Sequence, residues 1–153
     1  MLSKGTNICG YTILVQLEEY IYYEYYQVKD KKGTLFTLKL IDLNLAPPSQ
    51  LLKNGMLKEM VIMEGIHHPN IIKYCDHGTF KKDHKQYGYI VTEAFHGFPL
   101  SEFIKENYPF SDKEICLISL KILHALNHLQ IQGIIHNNLS VKNVLLPVGR
   151  NKC

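Results

Sequence analysis

The chain has 153 residues, 46% of them hydrophobic and 20% charged, which suits one globular domain with its own core. Its 17 basic and 14 acidic residues sum to +3 with no long run of one sign, which argues against a dedicated nucleic-acid binder. No window approaches the roughly 18 apolar residues of a membrane span, and no apolar stretch of signal-peptide length follows Met1, so the expectation is a soluble, cytoplasmic protein with no membrane partner. Cys9, Cys75, Cys116 and Cys153 are too widely spaced for a zinc site or a disulfide framework and read as reduced thiols.

In chain order, Tyr11 to Val28 reads as two strands meeting near Glu18 to Ile21, with five tyrosines (Tyr20, Tyr22, Tyr23, Tyr25, Tyr26) suited to strand packing. Lys31-Lys32-Gly33 marks a turn. Leu35 to Leu43 is a third strand, apolar on both faces and therefore substantially buried. After Pro47-Pro48, Ser49 can cap a helix running to about Glu64, interrupted by Asn54-Gly55 and stopped by Gly65. Ile71 to Phe80 and Gln86 to Glu93 read as two further strands. A short helix then covers about Leu100 to Asn107. Ser111-x-x-Glu114 is a capping box before a long helix with Ile115, Ile118, Ile122, Leu126 and Leu129 on one face, ended by Gly133. Three strands, a helix, two strands and then helices predict an α+β fold.

Lys39 is the first residue that points to chemistry. It lies mid-strand among apolar neighbours, where an unpaired ammonium is costly, so it needs a carboxylate, and Glu59 on the following helix is the candidate. His124 and His128 share a helical face at metal-binding spacing, but no carboxylate or cysteine nearby completes a ligand set.

The order of four segments then carries a resemblance. They are the Lys39 strand, Glu59 followed by His68-Pro69-Asn70-Ile71, Val91-Thr92-Glu93-Ala94-Phe95, and His136-Asn137-Asn138-Leu139-Ser140-Val141-Lys142-Asn143-Val144-Leu145. Together they resemble the serine/threonine protein kinases from about Tyr11 to Leu146. The resemblance implies a small lobe over residues 1–95, a five-stranded antiparallel sheet with helix C. Residues 96–153 would hold the hinge exit, helices D and E and the catalytic-loop region. It implies ATP and magnesium as ligands, with Lys39 and Glu59 at the phosphate-binding pair. Leu17 and Leu145 fall about the adenine, Thr92 at the gatekeeper, and Glu93 and Phe95 at the hinge, with Thr37 also among the implied nucleotide-binding positions. Asn143 falls at a magnesium position.

The departures from the family pattern are as specific. Where family members carry G-x-G-x-x-G over the phosphates, this chain has Glu18, Tyr20 and Tyr23, and Tyr25 replaces the roof valine. Asn138 stands for the catalytic aspartate and has no useful basicity, a loss of about 10²–10⁴ in rate. Ser140 stands for a lysine, and Asn137 for an arginine that senses phosphorylation. No Asp-Phe-Gly appears before Cys153. The expectation is an inactive, pseudokinase-like chain, with weak or absent ATP and magnesium binding, that works with a protein partner. The alternative is a genuine kinase completed by a second chain or a downstream reading frame. Under a further alternative, an unrelated small α+β binding protein, Lys39 and Glu59 need not touch.

Overall fold

The computed structural model describes residues 2–54 and 56–148. The chain forms two compact units. One comprises residues up to Ile66 together with Lys73–Ala94, and the other comprises His67–Ile72 together with the chain from Phe95 onward.

The first unit is a six-stranded antiparallel sheet with one helix. Its strands are β1 (Asn7–Ile8), β2 (Tyr11–Glu19), β3 (Tyr23–Lys29), β4 (Leu35–Asp42), β5 (Tyr74–Lys82) and β6 (Lys85–Glu93), in the order β1-β2-β3-β4-β6-β5. Five are the expected strands. The sixth, β1, has two residues, too few for any periodicity to reveal, and turns back onto β2 through Cys9 and Gly10, both at positive φ (48° and 102°). Two bulges in β2, between Ile13 and Val15 and between Gln16 and Glu18, sharpen its twist and leave Val15 and Leu17 half exposed.

β4 is central, which explains why its apolar residues occupy both faces. On one face Leu38 and Leu40 pack with Ile13, Tyr26, Val28 and Val91. On the other, Ile41 and Ile90 pack against Leu57 and Met60, the latter from helix α1 (Lys58–Glu64). The side chain of Met60 is fully buried, worth roughly 2 kcal/mol of apolar transfer. Gly88 makes that approach possible, because a Cβ there would lie 2.8 Å from Met60 Cε.

The expected helix from Ser49 is much shorter in the structure. Pro48–Gln50 forms only a 3-10 turn. Next, the Leu52 N–H donates to the Met56 carbonyl and the Met56 N–H to Asn54 Oδ1. The Asn54 carboxamide thereby takes a backbone donor that a helix would need, and α1 begins only at Lys58. Gly65 closes α1 at φ −86°, without left-handed backbone.

In the second unit, β7 (Gly97–Pro99) pairs with β8 (Leu145–Pro147), and between them run α2 (Leu100–Lys105) and α3 (Asp112–Ile131). The Ser111–Glu114 capping box is complete in both directions. Of the predicted apolar face, Ile118 and Leu129 are buried, while Ile115 is half exposed. Gly133 follows α3 at φ +72°. Gly97 is required by the ribbon itself, since a Cβ there would sit 2.1 Å from the Leu146 carbonyl oxygen. Among the described residues no helix is long and apolar enough to cross a membrane.

Candidate functional site

Lys39 and Ile41 share the face of β4 that looks toward α1, as their two-residue spacing requires. Lys39 Nζ donates to Glu59 Oε2 at 2.6 Å, so the expected pair is present. The Lys39 side chain is 16% exposed and that of Glu59 39%, so the pair is screened from water mainly on the lysine side.

That screening comes from tyrosines. Alternation along β3 puts Tyr23 and Tyr25 on the Lys39 side and Tyr26, fully buried, on the other. The β3–β4 register sets Tyr25 directly opposite Lys39. Lys39 Nζ lies 4.7 Å from the centre of the Tyr23 ring and 5.9 Å from that of Tyr25, both within cation–π range. Tyr20, at the β2–β3 turn, stacks on Tyr23 with ring centres 4.5 Å apart, and its hydroxyl donates to Glu18 Oε2 at 2.6 Å. Tyr22 meets Tyr23 edge to face at 5.0 Å.

The phenols of Tyr20, Tyr23 and Tyr25 stay neutral over the physiological range. The hydrogen bond to Glu18, aided by burial, pushes Tyr20 up to about 12. Burial, reinforced by the Tyr22 hydroxyl and the Glu59 and Glu18 carboxylates, raises Tyr23. Burial and Glu59 raise Tyr25. Lys39 therefore meets ring faces rather than phenolates.

The other first-unit positions are dispersed over the sheet. Leu17 lies half exposed on β2, and Thr37 and Thr92 pair across β4 and β6. Glu93 ends β6, where its N–H donates to the Lys73 carbonyl and its carboxylate accepts from the Lys73 N–H.

Phe95, Asn138, Ser140, Asn143 and Leu145 belong to the second unit. Asn138 is exposed, with its N–H donating to His136 Nδ1, and its carbonyl accepts from Asn143 Nδ2 at 2.7 Å. The Asn143 N–H donates to the Ser140 carbonyl, closing a turn that ends at β8. Neither asparagine amide is a base, so these two side chains can position a ligand by hydrogen bonds but cannot take a proton. Among the described residues no group of three or more histidine, cysteine or acidic side chains is placed to hold a metal ion.

Two features escaped the sequence reading. The tyrosine cover over Lys39 needed the hairpin register, which strand propensity does not supply. The other is the close packing of the His68 and His128 rings, centres 5.0 Å apart. Both histidines were visible as sequence features, but nothing local ties one to the other.

A sheet of this order, a helix carboxylate answering a strand lysine, and a turn-rich loop after a long helix define a protein-kinase-like chain. Residues 23–152 match the protein kinase domain family, and the chain belongs to that family. It is 36% identical over 94 residues to a probable myosin light chain kinase of Dictyostelium discoideum, covering 61% of this chain and 29% of that protein. It is 30% identical over 126 residues to a probable inactive serine/threonine-protein kinase of the same organism, covering 80% of this chain and 10% of that one. The crystal structure of the Mycobacterium tuberculosis PknI kinase domain superposes with a TM-score of 0.78 at 22% identity, covering 98% of this chain and 59% of that domain. The chain thus spans less than two thirds of each of these proteins.

Proposed function

We propose that this protein-kinase-family chain does not transfer phosphate and acts by binding a protein partner. One observation carries the reading: the Tyr23 and Tyr25 rings lie against the ammonium that would meet a nucleotide's phosphates. A triphosphate does not fit this arrangement. It would need the volume those rings fill, and it would meet the Glu18 carboxylate where related chains present glycine N–H groups. Asn138 supports the same reading, as an amide at the position of the general base. A relative of this chain that bears the name of an inactive kinase is consistent with it.

The retained Lys39–Glu59 pair and Asn143 favour a second reading, a serine/threonine kinase whose remaining parts come from another polypeptide. Thermal melting with and without millimolar ATP and magnesium separates the two. The expected result is an unchanged midpoint, and a clear rise overturns the inactive reading, because a ligand of the folded state must stabilise it.

A further inference from the structure

We propose that the tyrosines of the β2–β3 hairpin act as an internal occupant of the Lys39 site that fastens the hairpin to α1, so that α1 keeps its place with no ligand bound. The proposal rests on the reading above that no nucleotide enters, and it adds how the chain holds its shape without one.

The connection is continuous in space. Tyr20, Tyr22 and Tyr25 each meet Tyr23, with ring centres 4.5, 5.0 and 5.7 Å away, so the ring of Tyr23 is gripped by three others. Its face lies 4.7 Å from Lys39 Nζ. The same ammonium donates to Glu59, the second residue of α1, at 2.6 Å. The turn that carries these rings is itself closed and tied to β4. The Tyr20 N–H donates to the Tyr23 carbonyl at 2.8 Å, and the Asp42 N–H donates to the Tyr22 carbonyl at 2.8 Å.

A short helix needs such a fastening. α1 has seven residues, too few to be stable by itself, and its N-cap Leu57 offers no side-chain acceptor. Its buried contribution is Met60, while Val61 and Ile62 are exposed. An ammonium held between a carboxylate on the helix and aromatic faces on the hairpin couples the two elements through one side chain. Both contacts are electrostatic and both gain from the partial exclusion of water.

The test is amide hydrogen exchange of the chain without nucleotide, read at α1 and, for comparison, at α3. The Tyr23→Leu/Tyr25→Leu variant keeps apolar bulk and removes the ring faces. It is expected to speed exchange in α1 about tenfold and leave α3 unchanged. Tyr23→Phe/Tyr25→Phe keeps the faces and is expected to exchange as the natural sequence does. Unchanged α1 exchange in the leucine variant, or equal acceleration in the phenylalanine variant, overturns the proposal. Should the double leucine variant fail to fold, Tyr23→Leu alone serves, with about threefold expected in α1 and no change there overturning the proposal. Melting with ATP and magnesium judges the underlying reading separately, since the exchange experiment contains no nucleotide.

Discussion

Lys39 holds two kinds of contact with one charged atom, and removing it abolishes both together. In Lys39→Met the stem volume is kept, the Tyr23 face loses its cation, and Glu59 loses its partner at 2.6 Å. Glu59 retains access to water, so the cost falls between those of a surface pair and a buried one, about 1–2 kcal/mol. Urea unfolding should show this as a lower midpoint with an unchanged slope. At this scale the sequence was informative where burial forced a choice. A lysine among Leu38, Leu40 and Ile41 demanded a carboxylate, and Glu59 was the one within reach. The rings were not legible, because Tyr25 faces Lys39 only through the pairing of β3 with β4. Five tyrosines within seven residues do not state which of them face that way.

Elements were legible where their signals are local. The capping box named the start of α3, and its end at Ile131 lies beside Gly133. The start of α1 was misplaced because Ser49 has the right side chain for a cap, whereas the turn through Asn54 and Met56 spends the backbone groups first. The packing of His67–Ile72 against α3 has no local signal, yet it leads to a pH dependence. His68 accepts from the Asn70 N–H through Nδ1, and its ring lies against His128. Burial, with His128 and His124 nearby, holds His68 below its ordinary value of 6.5. As pH falls past 6.5 the unfolded chain therefore takes the proton before the folded chain does. The contribution of this site to stability is complete above that pH and declines below it. Melting midpoints between pH 7.5 and 5 should fall more for the natural sequence than for His68→Asn.

For the whole molecule, the sequence order of strands and helices placed the chain in its fold class, and the sheet order agrees with it. What the order could not convey is that His67–Ile72, which lies between α1 and β5, belongs with the helical unit. The prediction at this scale reverses the proposed loss of nucleotide binding. Glu18→Gly/Tyr20→Gly/Tyr23→Gly removes one carboxylate and two rings from the β2–β3 hairpin. If those side chains are what bars a triphosphate, millimolar ATP should raise the melting midpoint of this variant and leave that of the natural sequence where it was. A flat response in both would show that the obstacle lies elsewhere.

The three-residue ribbon of β7 and β8 brings the beginning and the end of the second unit's helical stretch side by side, reinforced by the Val148 N–H donating to the His96 carbonyl. The Leu100 and Ser101 N–H groups reach the carbonyls of Val144 and Val141, so the run from Gly97 to Pro147 is buckled at its base like a belt. A protease that nicks the exposed stretch from Ile135 to Lys142 would open the belt without separating its ends. The two pieces would stay joined through the β7–β8 pairing, which at Gly97 is close enough to leave no room for a methyl group.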